Sequence, residues 1–154
     1  MHHWRIIETY CQTVGNLPQK TNKTGQASSL DQFFVAIREY RYAYYALSLP
    51  GTTEDQTYGE DWVLFRIEGK IFLHIWLDAP EPCCALKLPP EQGQTLRDHY
   101  DGIRPAYHLN KVHWNDVLLD EIDGDMVKDL VRQSYHLVLC KLPKRLREKY
   151  RVEP

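Results

Sequence analysis

Residues 62–77 read WVLFRIEGKIFLHIWL, a pattern of two β-rich runs separated by a short turn that contains glycine. Trp62 to Ile67 and Ile71 to Leu77 are dominated by β-branched, aromatic and aliphatic residues, and Glu68-Gly69-Lys70 between them is typical of a hairpin turn. The second run is interrupted by His74 and is far too short to cross a membrane. We therefore expect an antiparallel hairpin here, and not a membrane segment.

Helical periodicity precedes this hairpin. Ser29 is a suitable helix cap, and Pro50-Gly51 ends the helical pattern because proline disfavours helical geometry in the preceding residue. Apolar residues recur between them at three- and four-residue steps, which predicts one amphipathic helix. The predicted apolar face is formed by Leu30, Phe33, Phe34, Ile37, Tyr40, Tyr44 and Leu47.

Further elements follow the hairpin. Cys84 to Leu88 predicts a third strand, and Pro89-Pro90 opens a second helix, since proline is tolerated in a first helical turn. Residues 103–108 and 113–119 predict two more strands, and Asp123 or Asp125 caps a last helix that runs to Lys141. The order α-β-β-β-α-β-β-α predicts an α+β fold, a two-layer α/β sandwich with an antiparallel sheet of about five strands.

The chain has 154 residues, enough for one domain with a substantial core, and we place that domain at residues 31–150. Residues 1–30 are expected to be a flexible N-terminal extension or a leader remnant, because residues 15–29 are rich in polar side chains. The N-terminus lacks the apolar run of a secretory signal, and the four cysteines match no zinc spacing. We expect a cytoplasmic monomer with reduced thiols and no cofactor.

The net charge of −2 is unevenly distributed. Residues 141–151 contain six basic residues against Glu148, a local charge of +5, which leaves −7 for the rest of the chain. Proteins that bind duplex DNA through phosphate contacts are usually basic overall. Any nucleic-acid surface here must therefore be a local patch. The favourable interaction of lysine and arginine with a helix C-terminus is an alternative explanation for the basic tail.

Residues 105–115, PAYHLNKVHWN, are the most unusual stretch of the chain, since they are too polar for a core strand and rich in aromatic residues. In one hypothesis, aromatic rings stack on bases, and phosphate contacts come from Lys87, Arg97, Arg104, Lys111 and the basic tail. The candidate nucleic-acid-binding residues are Tyr107, His108, Asn110, Lys111, His113, Trp114, Lys141, Lys144, Arg145 and Arg147. A buried Trp114 would instead make this run a structural signature of the fold.

Four segments together resemble the MmcQ/YjbR family of small bacterial proteins. They are residues 48–55 (SLPGTTED), 59–66 (GEDWVLFR), 107–114 (YHLNKVHW) and 134–144 (SYHLVLCKLPK), and the resemblance covers roughly residues 31–147 in matching order. The resemblance implies a two-layer α/β domain similar in outline to type III secretion chaperones. Family members are often labelled DNA-binding, a label that rests largely on fold analogy. Relatives commonly have a glycine where this chain has Ala106.

Three other classes compete with DNA binding. A protein-binding adaptor is the second hypothesis, because exposed aromatic residues in a polar loop are common at protein interfaces. A metal site is not expected, since the His108-x4-His113 spacing matches no strong zinc signature. Catalysis is not expected either: Ser134 and His136 point to different sides of a helix, and no phosphate-binding loop or nucleophile elbow is present. Cys83 or Cys84 with a histidine is the remaining candidate nucleophile pair.

Overall fold

The computed structural model describes residues 29–77 and 79–150, with side chains from residue 38 onward. The expected extension over residues 1–30 therefore lies, apart from Ser29 and Leu30, outside the described residues. The first half of the fold comprises α1 (Ser29–Ser48), β1 (Thr52–Asp55), β2 (Trp62–Ile67), β3 (Lys70–Trp76) and β4 (Cys83–Lys87). The second half comprises α2 (Pro90–His99), β5 (Ile103–Pro105), β6 (Trp114–Leu118), α3 (Gly124–Leu139) and α4 (Lys144–Lys149).

The six strands form one antiparallel sheet in the order β1-β2-β3-β4-β6-β5. The predicted α+β class with an antiparallel sheet is confirmed, although the sheet has six strands in place of about five. The additional strand is β1, a segment with two acidic residues for which the sequence pattern predicts no strand. Asp55 at its end is paired with Arg66 of β2 at 2.6 Å, and this ion pair explains why acidic residues are accommodated at the sheet edge.

The predicted hairpin is present between β2 and β3, with Glu68 and Gly69 at its turn. Both residues have positive φ, 47° and 77°, as a two-residue turn of type I′ requires. The ladder is irregular beyond this turn, because the register shifts between Phe65 and Arg66 and leaves Phe72 without a direct partner. Phe72 packs edge-on against Tyr135 of α3, with the ring centroids 5.3 Å apart.

The helices pack on one face of the sheet. One continuous core joins alternating strand residues to the inner sides of α1 and α3, and it includes Val63, Phe65, Leu73, Ile75, Cys84, Leu86, Val117, Ala43, Ala46, Val127, Leu130, Val131 and Tyr135. Leu64, Cys83 and Ala85 are also buried, but they alternate with core residues along their strands and lie outside this cluster. The second sheet face is therefore a separate environment from the helix-covered core.

The buried side of α1 differs from the predicted one. Tyr42, Ala43, Ala46 and Leu49 are buried, whereas Tyr44 is 58% exposed. Tyr40 and Tyr44, which the periodicity assigns to the apolar face, lie at the rim of the core, whereas Tyr42 is in it. Tyr40 and Tyr45 only partly pack against the core.

The ends of the elements largely match the sequence signals. Asp123 caps α3 by accepting hydrogen bonds from the backbone N–H groups of Asp125 and Met126. Gly51 follows α1 with φ of 75°, and a Cβ at this position would overlap the ring of Tyr150. The last helix is expected to run to Lys141, but α3 ends at Leu139 and a separate short helix, α4, begins at Lys144. The alternative explanation of the basic tail as the end of one helix is therefore wrong.

Candidate functional site

The sheet face opposite the core carries rows of aromatic, histidine and basic side chains. Residues paired across an antiparallel ladder share a face, so Trp62, Trp76 and Cys83 form one row. The next row contains Leu64, His74, Ala85 and Asp116. A third row contains Lys87 and its partner Trp114. We call the first of these the aromatic row and the third the cationic row.

The aromatic row is closed from above by the loop between β5 and β6. The rings of Trp62 and Trp76 are stacked with an interplanar angle of 7° and a centroid distance of 5.4 Å. His108 lies edge-on to both indoles, at 5.6 Å from Trp62 and 5.3 Å from Trp76. Tyr107 packs against His108 at 4.7 Å and remains 75% exposed. His108 therefore belongs to an aromatic cluster.

A cavity of about 390 Å³ opens beside this cluster. Its lining residues are Tyr58, Asp61, Trp62, His74, Trp76, His108 and Leu109. Four of these residues have aromatic or imidazole rings on the strands or the β5–β6 loop, and Tyr58 adds a ring from the β1–β2 loop. Asp61 is the one acidic residue of the described lining, which contains no lysine or arginine.

His74 links the aromatic row to the cationic row. Its imidazole is 2% exposed, and burial together with the nearby charge of Arg66 lowers its pKa to about 4. No described residue is hydrogen-bonded to the imidazole. It makes ring contacts with Tyr58 at 6.0 Å, Trp62 at 6.1 Å and Trp114 at 4.9 Å. At neutral pH this ring has one donor and one acceptor nitrogen.

The cationic row faces a groove of about 560 Å³, which we call the cationic groove. Its lining residues are Arg66, Gly69, Lys70, Ile71, Lys87, Trp114, Val138, Lys141 and Leu142. Four of them are basic and none is acidic. Burial and the adjacent positive charge of Lys141 lower the pKa of the Lys87 ammonium group. Two neighbouring ammonium groups that repel each other beside an indole form a suitable environment for an anion.

Arg66 is held in place by three groups around the hairpin. Its guanidinium donates to the carboxylate of Asp55 at 2.6 Å, to the hydroxyl of Thr57 at 3.1 Å and to the carbonyl of Gly69 at 3.0 Å. Asp55 compensates much of its charge. The uncompensated charge in the groove therefore comes from Lys70, Lys87 and Lys141.

The predicted site residues are distributed between these two places. Trp114 and Lys141 meet in the cationic groove, and Trp114 is half-buried against His74. Tyr107 and His108 lie at the aromatic row. Lys144, Arg145 and Arg147 lie on α4 and are exposed, but they do not line the groove; Lys144 is 3.8 Å from Glu148. The structure thus unites part of the predicted set and separates the rest.

The remaining predicted residues shape the β5–β6 loop. The carbonyl of Asn110 accepts from the backbone N–H of Trp114 at 2.9 Å, and its side chain accepts from that of Val112 at 3.0 Å. The carbonyl of His113 accepts from the backbone N–H of Leu88 at 2.9 Å. Lys111 is exposed, with its ammonium 5.9 Å from the ring of Tyr107. The expected strands over 103–108 and 113–119 are shorter than predicted, because this turn interrupts them.

Helix α4 is fastened beside the groove at the β2–β3 turn. The ammonium of Lys149 is 3.8 Å from the carboxylate of Glu68, and the hydroxyl of Tyr150 is hydrogen-bonded to the same carboxylate. Gly69, the next residue, lines the groove. The basic residues of α4 therefore extend positive charge outward from the groove.

Lys87, which the phosphate-contact hypothesis includes, lies in the cationic groove, whereas Arg97 is hydrogen-bonded to Asn115 and Arg104 is paired with Glu81 at 3.2 Å. Several other members of the two sites are absent from the predicted set, namely Arg66, Lys70, Tyr58, Trp62, His74 and Trp76. Arg66 and Lys70 have suitable side chains for phosphate, but no local pattern distinguishes them from other basic residues. The alternation along the strands could have indicated part of the site, because Trp62, His74 and Trp76 lie at positions that face away from the core. Period-two alternation identifies a face but cannot show what covers it.

The structure also shows the residues that were considered for metal binding and for catalysis. Among the described residues, no group of three or more His, Cys, Asp or Glu side chains is arranged to hold a metal ion. Ser134 is buried, donates to the carbonyl of Phe72 at 2.6 Å and accepts from the backbone N–H of Lys87 at 2.8 Å. Burial raises the pKa of Cys83 to about 12 and that of Cys84 further. None of the helices in the described part of the chain is long and apolar enough to cross a membrane.

The fold and this surface define a small α+β domain, with helices on one face of an antiparallel sheet and aromatic and cationic rows on the other. The YjbR family model matches residues 47–137. The uncharacterised protein YbdF of Escherichia coli O157:H7 is 34% identical over 110 residues, which cover 71% of this chain and 88% of that protein. The uncharacterised protein YjbR of Escherichia coli K12 is 31% identical over 107 residues, covering 68% and 89%.

Solved structures agree with these relatives. The crystal structure of protein DR2400 of Deinococcus radiodurans, described with a DUF419 domain, superimposes with a TM-score of 0.65 at 28% identity. The superposition covers 70% of this chain and 83% of that one. A crystal structure from Pseudomonas syringae gives a TM-score of 0.57 at 28% identity and covers 63% and 95%. The chain belongs to the YjbR family, as the four sequence segments indicate.

Proposed function

We propose that this protein is a non-catalytic nucleic-acid-binding module whose cationic groove contacts phosphates. The observation that carries the proposal is the adjacency of the Lys87 and Lys141 ammonium groups beside the Trp114 indole, in a groove with no acidic residue in its described lining. A phosphate between the two ammonium groups would relieve their repulsion, and the indole offers a surface for a base or a sugar.

The overall charge restricts how the protein binds. A net charge of −2 disfavours long-range attraction of a polyanion, so affinity has to come from the groove and from α4. A small number of phosphate contacts predicts modest affinity that falls with salt by a slope of about 0.7 per contact for a single strand. We accordingly expect micromolar rather than nanomolar binding.

The test compares charge reversals at three places. The groove variant carries Lys70→Glu and Lys141→Glu, both at exposed positions, and the α4 variant carries Lys144→Glu and Arg145→Glu. A third comparison uses single substitutions. Lys141→Glu alone is compared with the control Lys128→Glu, whose position lies near Tyr45 on the helix side. Fluorescence anisotropy with labelled single-stranded and duplex DNA at two salt concentrations measures affinity and salt slope for each protein.

We expect the affinity of the groove variant to fall at least about tenfold. Its salt slope should decrease by the amount that one phosphate contact contributes for each lysine replaced. The α4 variant should lose less, and Lys128→Glu should behave as the wild type. Equal losses for Lys141→Glu and Lys128→Glu would show a non-specific charge effect and contradict the groove assignment. No binding by the wild type at low salt, where electrostatic attraction is strongest, would reject nucleic-acid binding itself.

A protein-binding module is the second candidate. Tyr107 and Val112, both in the β5–β6 loop, are 75% and 56% exposed, and such side chains are frequent anchors at interfaces. A photo-crosslinking residue placed at position 107, with position 100 as the control, tests this alternative in cells. A single defined protein adduct from position 107 alone would favour it over nucleic-acid binding.

A further inference from the structure

The cavity beside the aromatic row has no role in phosphate contact. Its described lining contains no lysine or arginine, and Asp61 would repel an anion. Its volume of about 390 Å³ lies within the range of small-molecule sites, and ring systems form most of its walls. The chemistry of this cavity is therefore that of a receptor for a planar ring without negative charge.

A polar group is available deep in the cavity. The His74 imidazole is 2% exposed, lines the cavity, and has no hydrogen bond to a described residue. A polar ring that lines a cavity without a protein partner can form a hydrogen bond with a ligand there. Because the ring is neutral at physiological pH, it can both donate and accept, as the edge of a heteroaromatic base requires.

The cavity lies on the same sheet face as Lys87 and Trp114 of the cationic groove. Along β4, Cys83 in the aromatic row and Lys87 in the cationic row are four residues apart, which corresponds to about 13 Å. Between them, His74 of the cavity and Trp114 of the groove are in ring contact at 4.9 Å. One or two nucleotides of an extended strand are sufficient to connect the two places.

We infer that this cavity receives the base of an unpaired nucleotide while the phosphate of a neighbouring nucleotide of the same strand lies in the cationic groove. The inference rests on the proposed function and narrows its ligand to single-stranded nucleic acid. Trp62, Trp76, Tyr58 and His108 provide the ring contacts, and His74 hydrogen-bonds the base edge. A paired base is covered on both sides by its neighbours, so a duplex can enter the groove with its phosphates but cannot fill the cavity.

The experiment separates base recognition from phosphate recognition. Anisotropy titrations compare a labelled oligothymidylate with an abasic strand of equal length, which keeps the phosphates and lacks the bases. The cavity variant carries Tyr58→Ala and His108→Ala, both at exposed side chains whose removal leaves the core unchanged. Tyr44→Ala is the control, because Tyr44 is 58% exposed, close to the 60% of Tyr58, and lies on α1.

We expect the wild type and Tyr44→Ala to bind the base-bearing strand about tenfold more tightly than the abasic strand, as a stacking contribution of this kind predicts. In the cavity variant this ratio should fall towards one. Circular dichroism confirms that each variant is folded before its ratio is interpreted.

Two outcomes contradict the inference and differ from each other. Equal, salt-sensitive binding of both strands by the wild type would remove the cavity from the binding site while leaving the groove proposal intact. Binding of neither strand at low salt would reject the groove proposal, and the inference with it.

Discussion

The two faces of the sheet are built from different residues: one forms the apolar core, and the other presents aromatic and basic side chains. Toward the helices, Val63, Ile75 and Leu86 pack into one apolar core that contributes stability in proportion to the area buried. On the opposite face, the rows contain three indoles, an imidazole without a described hydrogen-bond partner, and Lys87, whose ammonium group is adjacent to that of Lys141. Stability alone would not select these groups, so the second face is the place to look for function.

The largest expected contrast comes from removing one tyrosine from each face. Tyr135 is buried, packs against Phe72 and donates a hydrogen bond to the carbonyl of Pro50 at 2.5 Å. Tyr135→Ala should lower the free energy of unfolding by about 3–5 kcal/mol, because it leaves a cavity and an unpaired carbonyl. Tyr58→Ala should change it by less than about 0.5 kcal/mol. Chemical denaturation of both variants measures the difference, and similar losses would contradict the division of the sheet.

A second contrast depends on pH, because each face contains a buried titratable group. Glu39 of α1 is fully buried, neither of its carboxylate oxygens has a described partner, and burial raises its pKa to about 8. The native state therefore retains a proton that the unfolded chain releases above about pH 4.5. The Glu39 contribution to stability falls as the pH rises from about 4.5 to about 8, by up to roughly 5 kcal/mol.

His74 acts in the opposite direction. With a native pKa of about 4 and an unfolded value of 6.5, it costs stability as the pH falls from about 6.5 to about 4.

The Glu39→Gln variant tests the contribution of Glu39. Because glutamine does not ionise, the loss of stability between pH 5 and pH 8 should be smaller in this variant than in the wild type. Thermal denaturation across this range provides the measurement, and a pH profile unchanged by Glu39→Gln would show that the carboxyl group is not buried in its neutral form.

The smallest effect on stability and binding is expected for Ser134, whose side chain joins the backbones of two neighbouring strands. Ser134 of α3 bridges the carbonyl of Phe72 and the backbone N–H of Lys87, whose side chain reaches the cationic groove. Ser134→Ala should cost about 1–3 kcal/mol, because two buried backbone groups lose their partner. It should also weaken nucleic-acid binding slightly, since it loosens the backbone of Lys87. Chemical denaturation and anisotropy measure the two effects, and unchanged stability in the Ser134→Ala variant would indicate that solvent satisfies these groups.

Much of the fold is predictable from local signals. The β2–β3 hairpin follows from two β-rich runs around Glu68-Gly69, where the turn requires positive φ twice. The cap at Asp123 and the end of α1 before Pro50-Gly51 are likewise correctly located. These features depend on interactions within a few residues, so a sequence displays them directly.

The candidate site is only partly predictable. Trp114 and Lys141 are indicated by their residue types, and the structure does place them in one groove. Arg66 and Lys70 are missed because they belong to an ordinary hairpin, and nothing local indicates that this hairpin lies beside residue 141. Asn110 is predicted to be functional, although its observed hydrogen bonds organise the loop turn.

The four matching segments of the sequence indicate the family of this protein, while local backbone preferences and the pattern of apolar residues predict most of its order of helices and strands and the alternation that gives its sheet two unlike faces. They do not establish which positions of α1 are buried, that Lys87 and Lys141 share a groove with Trp114, or that His74 lies between that groove and the aromatic cavity. Such neighbours are brought together by strand register and helix packing, which depend on contacts between residues far apart in the chain.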